Sequence, residues 1–292
     1  MDFKKITVED KNLFRKYAAT LGQTDSESSF TTTFLWKDYF QSHYFLYNDT
    51  LTVISGKSIS VPFHTFPLGN GDVKQTLTLL RDFFLSRYNT YIIRGLTEKT
   101  KLLLQQAAPG MFEFEEKRAM SDYVYATSDL ISLSGKKYHA KRNHLNRFLS
   151  SYNWKYNKID ETNIGACAEF VNRITLERNP DPAHEINAMN VLFDNYFELG
   201  VTGACITVDD RIAAVSVGER LYDTALIQVE KADTGFDGAY AAINQMFLKN
   251  EFSDCPFVNR EEDMGNEGLR KAKMSYHPAF IYKKYIAKPI KQ

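Results

Sequence analysis

Hydrophobic and polar positions follow two periods along this chain, and the switches between them mark out its elements. Apolar residues at helical spacing run through LFRKYAATL (13–21), after Thr7-Val8-Glu9-Asp10 and before Gly22. A second helical run is FTTTFLWKDYF (30–40). The period then drops to two. HYFLY (43–47), LTVIS (51–55) and SISVPF (58–63) read as short strands joined at Asn48-Asp49 and Gly56-Lys57. LGNGD (68–72) turns into the amphipathic helix VKQTLTLLRDFFLSRY. Strand TYIIRGL (90–96), helix EKTKLLLQQA (98–107) and strand MFEFEEK (111–117) follow.

The rest of the chain repeats that order. KKYHAKRNHLNRFLSSY (136–152) and IGACAEFVNRITLER (164–178) read as helices, with a third near 186–199. TGACITV (202–208), IAAVSVGER (212–220) and DTALIQVEKA (223–232) form a meander whose first turn is Asp209-Asp210. Helix GAYAAINQMFLKNEF (238–252), strand FVNRE (257–261), helix GLRKAKM (268–274) and strand AFIYKKYIA (279–287) complete it. Helices, a three-stranded meander, helix, strand, helix, strand thus occur twice. The expectation is an α/β protein of the α+β type with mixed sheets, in two similar halves, 1–119 and 120–292. This element order is similar to that of GCN5-related N-acyltransferases, and a tandem of two such domains resembles the Fem-type aminoacyltransferases.

Composition supports a folded chain and narrows its partners little. With 292 residues, 43% hydrophobic and 25% charged, the chain can bury a large core, which excludes disorder and fibrous repeats. Cys167, Cys205 and Cys255 show no paired metal spacing and read as reduced core thiols. No apolar run reaches membrane-spanning length, and the first residues lack a signal-peptide stretch. The expected location is cytoplasmic, with a peripheral position at the inner membrane face left open. Oligomeric state is open.

The 36 basic and 36 acidic side chains cancel, but they are segregated. Between Gly135 and Phe148 lie Lys136, Lys137, Lys141, Arg142 and Arg147, with His139 and His144 and no acid. Lys137, Lys141 and His144 share one helical face, and Asn143 adds a hydrogen-bonding group. From Gly268 to the end come Arg270, Lys271, Lys273, Lys283, Lys284, Lys288 and Lys291, again without an acid. Each segment reads either as a solvated face or as a phosphate-binding surface for tRNA, a coenzyme or lipid headgroups. The connection Asn259-Arg260-Glu261-Glu262-Asp263 leads from a strand into a helix, the kind of place where open α/β sheets put their sites. An internal ion-pair network is the alternative reading. Glu230 and Lys231 end an apolar strand, and Gly235 and Gly238 follow before a helix whose N-terminus suits an anion. The acyltransferase pattern Gln/Arg-x-x-Gly-x-Gly/Ala is altered here. Gly235 stands in the Gln/Arg place, Tyr240 replaces a small residue, and Asp237 is acidic. His43, His64 and His184 read as structural or exposed. No Ser-His-Asp elbow, Walker loop, HExxH or paired-cysteine motif occurs.

KKYHAKRNHLNRF (136–148), VEKADTGFDGAYAAINQMF (229–247) and FVNREEDMGNEGLRKAKMSYHP (257–278) resemble bacterial proteins related to the C-terminal catalytic domain of phosphatidylglycerol lysyltransferase. That resemblance implies a tandem acyltransferase-like fold and an aminoacyl-tRNA donor. The lipid enzyme's Lys-x-Lys-Phe-x-Pro pattern is met only in part by Lys271, Lys273 and Pro278. The first expectation is therefore transfer of an acyl or aminoacyl group, from aminoacyl-tRNA, to an amine or hydroxyl acceptor on a small molecule or lipid headgroup. Lys137, Lys141, Arg142, Asn143, Lys231, Gly238, Arg270 and Lys271 would hold phosphates. Lys273 or Arg260 would stabilise the oxyanion, and Glu230, or Glu262 with Asp263, would orient the acceptor or take its proton. An acyl-CoA donor ranks second. A non-catalytic domain binding tRNA or an anionic ligand is the third reading. No resident cofactor or metal is expected.

Overall fold

The period-two runs pair into two mixed sheets in the computed structural model, which describes residues 1–56 and 61–290. Residues 58–60 of the strand expected at 58–63, Lys57 of the turn before it and Lys291 lie outside the described residues. In chain order the elements are β1 (Lys4–Lys5), α1 (Lys11–Ala18), α2 (Phe30–Leu35), α3 (Lys37–Phe40), β2 (His43–Tyr47), β3 (Thr50–Ser55), β4 (Phe63–His64), β5 (Leu68–Gly69), α4 (Val73–Tyr88), β6 (Ile93–Leu96), α5 (Glu98–Ala107) and β7 (Phe112–Glu116). There follow β8 (Asp122–Ala126), α6 (Thr127–Ser132), α7 (His139–Ser151), β9 (Trp154–Lys158), α8 (Ile164–Arg178), α9 (Ala183–Asp194), α10 (Tyr196–Leu199), β10 (Thr202–Val208), β11 (Arg211–Leu221), β12 (Thr224–Ala232), α11 (Ala239–Glu251), β13 (Phe257–Asn259), α12 (Glu267–Met274), β14 (Phe280–Tyr282) and β15 (Tyr285–Pro289).

The chain divides into two units, Met1–Asp122 with Glu262–Asn266 and Tyr282–Gln292, and Tyr123–Glu261 with Glu267–Ile281. The first sheet runs β1-β2-β3-β4-β6-β15-β7, with β5 on β3. Its closing strand differs from the sequence reading. AFIYKKYIA is two strands, and the second, β15, inserts between β6 and β7 of the first sheet. Alternation identifies a strand but cannot name its neighbour. Asp72 caps α4 by accepting from the Gln75 N–H at 3.0 Å, and α4 buries Leu77, Leu80 and Phe84 in the first unit's core.

Lys284 and His64 are buried ionisable groups of the first unit. Lys284 is fully buried, with Nζ 3.0 Å from Asp25 Oδ1 and 3.6 Å from Asp122 Oδ1. Asp122 also accepts from the Ser26 N–H at 2.7 Å, so one pair fixes the turn at 26–28 and the start of β15 together. Burial opposes the Lys284 charge, but Asp122 and Asp25 outweigh it and hold its pKa well above the usual value. His64 is fully buried against Phe84 and Tyr91. Burial pushes it down to about 4, although the Thr65 carbonyl lies 2.8 Å from Nδ1.

The second sheet runs β14-β8-β13-β12-β11-β10-β9. β12 and β13 are parallel, as the crossover through α11 requires, and pair only from Thr224↔Phe257 to Leu226↔Asn259. α11 packs with α6 and α7, whereas α8 packs on β11 and β12 and carries α9. The free cysteines Cys167, Cys205 and Cys255 are buried. No helix among the described residues is long and apolar enough to cross a membrane.

Lys284→Met leaves Asp25 and Asp122 buried without their cation. It is expected to lower the unfolding free energy by about 3–5 kcal/mol, read from urea denaturation. His64 has the opposite sign to a stabilising cation. The unfolded imidazole takes a proton near its ordinary value of 6.5 and the folded one only near 4. Stability should therefore fall as pH drops from 6.5 to 4, by about 3 kcal/mol, and His64→Phe should flatten that slope in urea titrations.

Candidate functional site

A single extra residue in β12 decides which side chains face α11. β11 and β12 pair as Ser216↔Glu230 and Val217↔Val229, then as Gly218↔Ile227, so Gln228 bulges out of the ladder. Before the bulge Ala225 and Ile227 face the core under α11; after it Ala232 does, and Glu230 between them bonds to α11. Lys231 points the other way, to Glu185 of α9 at 2.6 Å. Without the bulge, strict alternation would give Val229 and Lys231 the α11 side. Gly218 suits the crowded position opposite, where a Cβ would stand 2.7 Å from the Leu226 carbonyl oxygen.

Glu230 meets Arg260 where β12 and β13 cease to pair. Arg260 Nη2 donates to Glu230 Oε1 at 2.7 Å, and Asn244 Nδ2 donates to Oε2 at 3.0 Å. The guanidinium lies 4.8 Å from the Tyr276 ring centre and 5.7 Å from that of Tyr125. Burial opposes the charge on Arg260, but Glu230 and these phenols outweigh it and raise its pKa. Arg260 Nη1 and Asn244 Oδ1 are buried with no hydrogen-bond partner among the described residues. Lys273 is also buried here, with Nζ donating to the Arg260 carbonyl at 2.5 Å.

Tyr276 connects this pair to an open cavity of about 220 Å³. The cavity runs from Lys141 and His144 of α7, past Tyr276, to the Asp233–Ala241 turn that starts α11. Lys141 Nζ lies 4.1 Å from the Tyr276 ring centre and forms no salt bridge among the described residues. Burial, and then the Arg260 charge, pull the Lys141 ammonium below its usual range. Burial pushes the Tyr276 phenol up to about 12, so it stays protonated. Gly238, at φ +90°, caps α11 against α7, where a Cβ would stand 2.2 Å from the His144 carbonyl oxygen. The first N–H groups of α11 have no partner within the helix. The turn's acids are compensated. The Gly235 N–H and then Arg173 hold Asp233 below its usual range, and Arg147 does the same for Asp237.

A family model described as phosphatidylglycerol lysyltransferase, C-terminal, matches residues 18–288. The chain belongs to this family. Within and around it, the chain is similar over 99% of its length, at 32% identity and a TM-score of 0.91, to all of a conserved protein of unknown function from Bacteroides thetaiotaomicron. The structure of L-PGS from Bacillus licheniformis covers 99% of this chain and 93% of its own, at 14% identity and a TM-score of 0.70. The FemX crystal structure covers 99% and 98%, at 10% identity and a TM-score of 0.61. The fold is thus the tandem acyltransferase architecture of the GCN5-related and Fem-like type. An uncharacterized protein of Mycoplasmoides gallisepticum is 28% identical over 177 residues; the match spans 58% of this chain and 56% of that relative.

The family's polar segments from the sequence separate into distinct places. Glu230, Arg260, Lys273, Lys141 and Gly238 gather around Tyr276 or the cavity it lines. Arg142 donates instead to the Leu133 and Gly135 carbonyls at the end of α6. Lys137 pairs with Asp129 at 3.0 Å, and Asn143 is exposed beside His139. Lys231 lies on the opposite face of β12 from Glu230. Arg270 and Lys271 lie on α12, Lys271 exposed. Glu262 and Asp263 belong to the first unit, where buried Asp263 accepts from the Gly265 N–H at 2.9 Å. Tyr276, Asn244 and Arg178 were not singled out by sequence. Asn244 had a signal, as a polar residue within the apolar run of α11. No group of His, Cys, Asp or Glu among the described residues is placed to hold a metal.

The pair makes a direct energetic prediction. Glu230→Gln or Arg260→Met alone should each cost about 3 kcal/mol of stability, by leaving one charge buried. The double variant should cost clearly less than the sum, measured as a double-mutant cycle in urea.

Proposed function

We propose that this protein transfers an aminoacyl group from aminoacyl-tRNA to an amine or hydroxyl acceptor, with the reaction centred on Tyr276 and Arg260. The observation that carries the reading is the unsatisfied Arg260 Nη1 behind Tyr276, beside a cavity that holds Lys141 and ends at the turn that starts α11. Buried donors of this kind are expected to have a partner, and a developing oxyanion is one that forms only during reaction. The family relationship supports an acyl transfer of this class.

In this reading the acceptor's nitrogen or oxygen attacks the ester carbonyl of the donor. Negative charge develops on the carbonyl oxygen and is met by Arg260 Nη1. The ester bond breaks, and the leaving ribose oxygen takes a proton from the Tyr276 hydroxyl, which forms no other hydrogen bond among the described residues and is protonated at neutral pH. The acceptor's proton passes to solvent, and the Tyr276 phenolate takes a proton back from solvent. Both oxygens of Glu230 are already occupied by Arg260 and Asn244, so its role is to orient the guanidinium. Lys141 and the Gly238 turn would hold the phosphates of the donor's 3′ end.

The test uses bulk tRNA charged with radiolabelled amino acids, a bacterial lipid extract and a pool of small amines. The reading predicts label moving from tRNA to an acceptor, with Tyr276→Phe slowing the step by about 10²-fold. Full activity in Tyr276→Phe would remove that residue's role. Turnover with acyl-CoA and none with charged tRNA would overturn the donor and favour the coenzyme reading.

A further inference from the structure

The charges around the cavity do not balance, and the surplus is carried by two helices. Its two lining carboxylates, Asp233 and Asp237, face Arg173 at 3.2 Å, which also pairs with Glu177 at 2.8 Å, and Arg147. Behind Tyr276, Arg260 and Glu230 neutralise each other. Lys141 on α7 forms no salt bridge among the described residues, and neither does Arg178, the last residue of α8. Arg178 instead donates from Nη1 to the Tyr240 hydroxyl at 2.8 Å and from Nη2 to the Thr234 hydroxyl at 3.0 Å. It also lies 5.3 Å from the Tyr240 ring centre. Tyr240 and Thr234 both line the cavity. A guanidinium whose two forks end on neutral hydroxyls is oriented but keeps its whole charge.

The turn itself explains why a second cation matters. Residues 233–238 between β12 and α11 include no lysine or arginine, so the turn has no cation of its own. We propose that Lys141 and Arg178 clamp two adjacent phosphate charges, with Arg178 supplying from α8 the cation that the turn lacks. Two neighbouring phosphates match two uncompensated cations on different helices, whereas one phosphate leaves a cation unmet. The clamp deepens the donor reading and rests on it only for the identity of the ligand. Consecutive phosphates occur both at an RNA 3′ end and in coenzyme A.

Calorimetry with inorganic pyrophosphate and with monophosphate tests the clamp on the full chain. The wild type should bind pyrophosphate more tightly than monophosphate. Lys141→Ala and Arg178→Ala should each weaken pyrophosphate at least tenfold, with Arg178→Lys in between. Each alanine variant should reduce the slope of log affinity against log salt by about one. Arg178 is exposed, so its variants should melt like the wild type, which separates lost binding from lost folding. Pyrophosphate that binds no better than monophosphate, or that ignores both substitutions, would overturn the clamp. Repeating the titrations with an RNA minihelix and with coenzyme A identifies the source of the phosphates. Absence of aminoacyl transfer, with Arg178-dependent pyrophosphate binding intact, would remove the donor reading and keep the clamp.

Discussion

Gln228 is one residue more than the β11–β12 ladder can pair, and every side chain after it in β12 changes face. That shift takes Glu230 out of the α9 layer and sets it under α11, where Asn244 and Arg260 occupy both of its oxygens. The separation of β12 from β13 beyond Leu226 and Asn259 leaves room for the ion pair. Tyr276 then closes over Arg260, and Lys141 closes over Tyr276. Remove the bulge and a valine faces the guanidinium, which leaves a buried charge without its anion.

The same geometry separates two electrostatic regimes within a short distance. Behind Tyr276 the charges are paired and nearly dry, so the pair fixes direction more than it attracts ligands. In front of it the cavity is open and carries the surplus cations Lys141 and Arg178. In the proposed reaction the polyanionic donor would lie in front, and its carbonyl would meet the one unsatisfied donor behind. Asp237, an acid in a turn expected to hold anions, conflicts with this picture in sequence alone. In the structure Arg147 answers its charge, and His144 Nδ1 lies 3.5 Å from its carboxylate.

Much of the architecture could be read from periodicity. The meander, the helix after it and the repeated element order correspond to β10, β11, β12 and α11 and to the two sheets. Five elements were missed, two of them the two-residue strands β1 and β5. β9 is an edge strand whose WKYNK pattern mixes aromatic and charged residues, so it gives no clean alternation. β8 and α6 are short and fall where a boundary was expected. The last strand was recognised but not its sheet, because pairing partners are tertiary choices. At the site, strand-end position pointed to Glu230 and Arg260. Basic patterning overreached with Arg142 and Lys231, since a charge run does not reveal which members cap a helix or pair across a face. Tyr276 had no signal at all, because its role depends on what packs on its two neighbours in space.

In the proposed reaction the carbonyl of the aminoacyl donor reaches Arg260 Nη1 beside the Tyr276 hydroxyl. A crystal structure with a non-hydrolysable aminoacyl-adenosine analogue carrying a 5′-phosphate tests it most directly. The phosphate is expected at the Gly238 turn, near Lys141, and the carbonyl oxygen within hydrogen-bond distance of Arg260 Nη1. An analogue bound with its carbonyl away from both Tyr276 and Arg260, with their side chains unmoved, would contradict it.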